Sequence, residues 1–309
     1  MSKRVARLLT ALVNGATAVR PPWRRANTRL LVANALVQQH EVTTRHGRLV
    51  FVSSHPEALQ FARNLTTREP ETIVWIDSFA APYTFWDIGA NIGAYALYAA
   101  QRPGVSVLAF EPSAASYAAL CRNIEVNGLA DRIDAYCLAL TGETRLGHLN
   151  MSATHAGNAF NSFESAEDCF GRPLEIRFRQ AMLGFSVDDF RRRFGLETPD
   201  YLKLDVDGIE EEILAGAAET LVDPKLRSVL IELEDAETDR NARIVAILER
   251  AGFGLSLPRG AAQYGSANAI FTRAAAEAEP AQAALSNPAP DQPGSAAASL
   301  PRTVGSYRG

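Results

Sequence analysis

Thr84-Phe85-Trp86-Asp87-Ile88-Gly89-Ala90-Asn91-Ile92-Gly93 is an apolar run that ends near an acid and breaks at once into a turn bracketed by glycines. A helical pattern, Ile92–Gln101, follows directly. A strand that feeds through glycines into a helix is the opening unit of a doubly wound α/β sheet. The chain then repeats that rhythm. Apolar runs recur at Val105–Phe110, Ile133–Leu140, Tyr201–Val206, Ser228–Leu233, Gly252–Leu257 and Ala267–Thr272. Helical spacing fills Ser113–Asn127, Val187–Phe194, Glu210–Leu221 and Asp239–Ala251. Near-continuous apolar strands separated by helices predict an α/β fold with a parallel sheet covered on both faces. Ligands of such sheets bind beyond the carboxyl ends of the strands. Met151–Arg179 shows no period and reads as irregular.

The 309 residues are 47% hydrophobic and 21% charged, too apolar for a wholly disordered chain. No apolar stretch approaches the roughly 18 residues needed to cross a bilayer. Cys121, Cys137 and Cys169 form neither a CxxC pair nor a set with histidines at metal spacing. That argues against a zinc site or a disulfide scaffold and for a cytoplasmic protein, with no metal expected. Seven Lys/Arg precede the first acid, Glu41; since the whole chain is −4, the remainder carries −11. An acidic body is a poor surface for nucleic acid.

Three segments follow. Residues 1–68 are an N-terminal extension, a basic arm and then a helical and short-strand cap. The arm has an apolar middle, Leu8 to Val13, interrupted by Asn14 and Gly15, and reads as an amphipathic or poorly ordered terminus; contact with a membrane surface is a further reading. Residues 69–273 hold the alternating elements. Residues 274–309 carry five of the sixteen prolines and eleven alanines, and are expected to be disordered.

Chemistry is expected just after each strand. Gly89 and Gly93 permit a tight turn and let the backbone approach a ligand. Asp87 is placed to attract a cation or an ammonium group. The second strand ends eighteen residues past Gly93 in Phe110-Glu111-Pro112-Ser113. An acid there can accept both hydroxyls of a ribose, and Ser113 suits the N-cap of the next helix. A dinucleotide loop is G-x-G-x-x-G, whereas here the spacing is G-x-x-x-G with Asn91 in the middle. That favours a nucleoside ligand with a positive centre and an amino-acid tail, such as S-adenosylmethionine. Asp205 closes the run Tyr201-Leu202-Lys203-Leu204-Asp205, and Lys203, two residues earlier, shares its face and can pair with it.

Asp87-Ile88-Gly89-Ala90-Asn91-Ile92-Gly93, Ala109-Phe110-Glu111-Pro112, Asn123 to Asn127-Gly128, Ala139-Leu140, Ser186-Val187-Asp188-Asp189-Phe190, Leu202-Lys203-Leu204-Asp205-Val206-Asp207-Gly208 and Ile231-Glu232 occur in this order. The series resembles the FkbM-type methyltransferases. Glu69-Pro70-Glu71-Thr72, Trp75-Ile76-Asp77 and Asn268-Ala269-Ile270-Phe271 extend the resemblance over roughly residues 69 to 273. It implies a class I Rossmann-like fold, with a seven-stranded mostly parallel sheet whose last strand is antiparallel. It implies S-adenosylmethionine as cofactor and O-methylation of a hydroxyl on a sugar or other small metabolite.

On this resemblance, Asp87, Gly89, Ala90, Asn91, Gly93, Glu111, Pro112, Ser113 and Ala139 contact the cofactor. Asp205, Lys203 and His155 are the candidate catalytic residues. Asn158, Asn161, Asp207 and Glu232 are candidates for substrate contact. Asp207 departs from the family, whose members more often carry Glu there, and the shorter acid shifts its reach. Two other readings of the same loop stand at this point: a nicotinamide-dinucleotide oxidoreductase, and a non-catalytic nucleoside-binding module.

Overall fold

A computed structural model describes residues 2–53, 55–159, 161–167, 172–234, 238–257 and 266–273. Cys169, the acids Asp235 and Glu237, and the Ala/Pro-rich segment 274–309 lie outside the described residues. The chain opens with helices α1 (Ser2–Thr17) and α2 (Pro22–Ala35) and a hairpin of β1 (Gln38–Thr44) and β2 (Gly47–Ser53). Next come α3 (Pro56–Arg63), α4 (Pro70–Asp77), β3 (Tyr83–Ile88), α5 (Ala94–Ala100), β4 (Val105–Phe110), α6 (Ala114–Val126) and β5 (Ile133–Tyr136). Four short strands follow, β6 (Ala139–Leu140), β7 (Arg145–Met151), β8 (Ser162–Phe163) and β9 (Phe178–Phe185). The remainder is α7 (Val187–Phe194), β10 (Tyr201–Leu204), α8 (Glu210–Ala215), α9 (Ala218–Val222), β11 (Ser228–Glu234), α10 (Thr238–Arg250), β12 (Phe253–Leu257) and β13 (Ser266–Arg273).

Seven strands form one sheet in the order β12-β13-β11-β10-β3-β4-β5. β13 runs antiparallel to both its neighbours, and the five strands β11, β10, β3, β4 and β5 are parallel. The chain starts at β3, moves outward to β5, then crosses to β10 on the other side of β3. That reversal leaves a crevice at the strand ends. Side chains alternate across the sheet, so Phe85 joins one core with Trp75 and Phe79 while its neighbour Trp86 joins the other with Phe110 and Phe190.

The hairpin belongs to the same body. Val42, Leu49 and Phe51 pack into the first core. The edge of β2 is covered by two asparagines one turn apart, Asn123 on α6 and Asn127 at its C-cap. Asn123 Oδ1 accepts from the Val52 N–H (2.8 Å) and Asn127 Oδ1 from the Val50 N–H (2.8 Å). Asn127 Nδ2 donates to the Val50 carbonyl (2.7 Å), and Asn123 Nδ2 to that of Ile92 (2.9 Å). These amides replace a missing strand, and one of them also steadies the turn after β3.

The sequence-based boundaries differ from the structure in three places. Ile133–Leu140 is two strands, the second of which leaves the main sheet for a separate one ordered β6-β9-β7-β8. That sheet occupies part of the stretch read as irregular. Half of β9 is exposed and only one of its residues is buried, so its side chains mix polar and apolar types and show no buried run. Glu210–Leu221 breaks into α8 and α9 around Gly216, where a Cβ would stand 2.7 Å from the Thr141 carbonyl.

Replacing Asn123 or Asn127 by Ala strands buried backbone groups of β2, at an expected cost of about 1–3 kcal/mol each. Urea unfolding measures the loss. Limited proteolysis of the double variant should cut first within residues 38–53, and cutting elsewhere first would refute the role given to the pair.

Candidate active site

A cavity of about 690 Å³ opens at the carboxyl ends of β3, β4, β10 and β11, within the roughly 300–1,000 Å³ typical of small-molecule sites. Gly89, Ala90, Asn91, Glu111, Pro112 and Ala139 line it, as do Lys203, Asp205, Asn158, Asn161, Asp207 and Glu232. Asp87, Gly93, Ser113 and His155 do not reach its wall.

The turn after β3 is left-handed at Gly89 (φ 86°), Asn91 (φ 51°) and Gly93 (φ 85°). A Cβ on Gly89 would lie 1.8 Å from the Asp205 carbonyl oxygen, and one on Gly93 would lie 2.4 Å from Leu120 Cδ1. Both glycines therefore answer to the protein's own packing, and Gly89 also lines the cavity. The turn serves the cavity through Glu111 as well. The Asn91 N–H donates to Glu111 Oε2 (2.8 Å) and the Ser113 N–H to Oε1 (2.7 Å), which fixes the carboxylate and leaves acceptor capacity on both oxygens. Burial raises this carboxyl to about 7. Ser113 holds the N-cap position of α6 but makes no side-chain cap bond, and its hydroxyl is buried without a partner.

Four acids and one ammonium meet beneath the centre. Asp87 is buried with neither carboxylate oxygen hydrogen-bonded, and burial lifts it to about 6 against the pull of Lys203. The cation it attracts is thus the protein's own. Lys203 is also buried; its Nζ lies 2.5 Å from Asp205 Oδ2 and 5.2 Å from the centre of the Tyr95 ring. Burial alone would lower this ammonium, but Asp205, Asp87 and Glu69 together raise it. Burial pushes Asp205 up as well, and Lys203 more than offsets this and holds it ionised. Glu232 is raised well above its ordinary value by burial and by the charge of Asp205, to which it is hydrogen-bonded, while Ser266 Oγ donates to its Oε1 (2.6 Å). Asp205 and Glu232 therefore share one proton and one negative charge.

Asp207 stands beyond the strand in a left-handed conformation (φ 53°). Neither it nor Asp205 caps α8. Glu210 braces that loop by accepting from the Val206 (3.3 Å) and Gly208 (3.2 Å) N–H groups. Asn158 and Asn161 bond each other, with Nδ2 of Asn158 donating to Asn161 Oδ1 (2.8 Å). His155 stacks on His55 with ring centres 3.6 Å apart, and its Nδ1 is 3.5 Å from Glu57 Oε2. The ligand atoms of these three lie within 4.8 Å of one another, a grouping that chain separation hid.

The wall also holds Glu69, Tyr95 and Asn268, to which the sequence assigned no role. Asn268 Nδ2 donates to Glu69 Oε2 (3.0 Å) and Glu71 Oε1 (3.1 Å), leaving its buried Oδ1 without a donor. The available signal was the pair of acids around Pro70 at the start of a helix.

Residues 87–255 match the Methyltransferase FkbM domain. The chain is 30% identical over 189 residues to the 31-O-demethyl-FK506 methyltransferase FkbM of Streptomyces tacrolimicus, covering 54% of this chain and 71% of that one. It is 29% identical over 194 residues to the methyltransferase sdnD of Sordaria araneosa (56% and 74%). It is 29% identical over 166 residues to the 2-O-methyltransferase NoeI of Sinorhizobium fredii (49% and 63%).

Lys203→Met would leave buried acids with no cation, an expected loss of about 3–5 kcal/mol at pH 8. A carboxyl raised by burial costs nothing below its ordinary value, and its stability is lost as pH rises from there through its folded value. The loss should therefore shrink at pH 5, below the value of about 6 held by Asp87. Urea unfolding at both pH values tests this; equal losses would show that the acids are not what Lys203 neutralises.

Proposed function

Because the chain belongs to the FkbM methyltransferase family and is a methyltransferase, we propose that its cavity binds S-adenosylmethionine and delivers the methyl group to a hydroxyl of a sugar or other small metabolite. The observation that carries this is Glu111, whose carboxylate is fixed by two backbone N–H groups with acceptor capacity to spare. A ribose offers two adjacent hydroxyl donors to such a group. Phe110, Leu138, Ala139 and Leu140 supply apolar walls beside it for a base. The dinucleotide reading falls with the family membership, and the Asn91 N–H is already given to Glu111.

Neighbouring strands stand about 4.8 Å apart, so Glu111 after β4 and Glu232 in β11 are separated by three spacings, or about 14 Å. We assign the nucleoside to the first position and the acceptor to the second. Lys203, Asp205, Tyr95 and Glu69 stand between them, where the sulfonium and amino-acid tail would lie. Bound S-adenosylmethionine supplies a methyl group on a sulfonium, which leaves in line as a neutral thioether. The protein's part is alignment and exclusion of water. As the acceptor oxygen gains its methyl group it must shed a proton, and the Asp205–Glu232 pair, carrying one negative charge, is the group that takes it. Lys203 keeps that charge in place and orients Asp205. Asn158, Asn161, Asp207 and the unpaired Asn268 Oδ1 offer hydrogen bonds to a hydroxylated acceptor, and the NoeI and FkbM relatives are O-methyltransferases by name.

We place the reaction in the cytoplasm. Cys121 and Cys137 are free thiols, as suits a reducing compartment. No described helix is long and apolar enough to cross a membrane. The acceptor is a small molecule or glycan rather than a nucleic acid, given the negative body.

Calorimetry with S-adenosylhomocysteine tests the reading. Glu111→Gln is expected to weaken binding by about 1.5–3 kcal/mol, roughly tenfold to a hundredfold. Two hydroxyl donors require ionised Glu111, so binding releases a proton around the free value of about 7. Affinity should rise from pH 6 to pH 8 in the parent and stay flat in the Gln variant. No binding by the folded protein would defeat the proposal. With radiolabelled donor and an extract of hydroxylated metabolites, Glu232→Gln and Asp205→Asn should cut label transfer by roughly a hundredfold or more.

A further inference from the structure

The first forty residues carry Lys3, Arg4, Arg7, Arg20, Arg24, Arg25 and Arg29 and not one acid. At helical spacing, Val5, Leu8, Leu9 and Leu12 of α1 share one face, while Arg7 and Asn14 fall on the opposite face and Arg4 lies at its border. α2 packs against one flank only. Val13 is half-buried and Thr17 buried there, and Arg25 Nη2 donates to the Ala18 carbonyl (2.6 Å). The apolar face stays open, with Leu8 63% and Leu12 60% exposed, and Trp23 (62%) stands open on α2 with the Arg24 guanidinium 4.9 Å from its ring centre. Of the eighteen large apolar side chains exposed among the described residues, ten lie between Val5 and Val37. No described residue of the body covers them.

We propose that the α1–α2 arm is a peripheral anchor that lies in the headgroup layer of an anionic bilayer. Charge complementarity selects this occupant. Seven basic side chains without a counter-acid match a surface of lipid phosphates, and the leucine face and Trp23 enter the acyl boundary. The remainder of the chain, at −11, is repelled by the same surface, so the arm faces the lipid and the catalytic body faces water. The methyltransferase would then work beside the membrane without a spanning segment.

The full-length protein is sedimented with vesicles of phosphatidylcholine alone and of phosphatidylcholine mixed with phosphatidylglycerol. Binding is expected to the mixed vesicles at low salt, with release at high salt. Trp75 and Trp86 are buried, so a blue shift of tryptophan emission on vesicle addition reports Trp23. The double variants Leu8→Ser with Leu12→Ser, and Arg4→Glu with Arg7→Glu, should each lose about tenfold or more in vesicle affinity. Their thermal midpoints and S-adenosylhomocysteine binding should stay at the parent's values, because these side chains are exposed and none of them lines the cavity. Three results would overturn the proposal: no sedimentation with mixed vesicles, vesicle binding unchanged by both double variants, or light scattering showing a vesicle-inert dimer that the serine variant dissociates.

Discussion

One ammonium group, Lys203 Nζ, makes the active centre possible. Asp87, Asp205, Glu232 and Glu69 crowd the ends of three adjacent strands, and without a cation their mutual repulsion and the cost of burying charge would open the floor of the cavity. Lys203 sits at the bottom of that group, 2.5 Å from Asp205 and over the face of Tyr95. Its charge is not shared evenly. Asp205 is held ionised, Asp87 titrates near 6, and Glu232 keeps its proton. One carboxyl pair thereby reaches the cavity with a single negative charge, which is what the release of one proton from an acceptor hydroxyl requires.

The same strand ends are tied by backbone geometry. The Asp205 N–H donates to the Ile88 carbonyl, and the Asp205 carbonyl occupies the space a Cβ on Gly89 would need. The Glu111 and Asp205–Glu232 parts of the cavity are thus built on one junction. Glu111 joins it from β4 through the Asn91 N–H, so the loop after β3 connects the two halves through its backbone. Distances that must be right for an in-line transfer are set by sheet spacing and not by flexible loops.

Around that rigid floor the walls come from elsewhere. The small β6–β9 sheet supplies Leu149 and Phe163, the connection between β7 and β8 supplies Asn158 and Asn161, α3 supplies Gln60, and Glu69 stands at the start of α4. These segments lie outside the repeating strand–helix units. The central sheet thus supplies the floor while the added elements supply the walls, the usual division in which loops on a fixed scaffold set specificity.

Periodicity along the chain was enough to determine the sheet, because five strands buried on both faces must be apolar throughout and cannot be mistaken for solvated segments. Local chemistry likewise singled out Glu111, Asp205 and Lys203, which line the cavity, since a strand end and a two-residue spacing fix which side chains share a face. The short sheet of β6–β9 was illegible for a different reason: β6 and β8 are two residues each and half of β9 is exposed, so no apolar run long enough to read as a strand marks them. Only the tertiary structure could show that Gly89 and Gly93 make room for Asp205 and Leu120, that Asp87 faces an internal lysine, that His155 stacks on His55, or that Asn123 and Asn127 cover the hairpin. Each of these joins residues far apart in the chain, and hydrogen bonds and burial energies depend on distance in space, which sequence spacing does not encode.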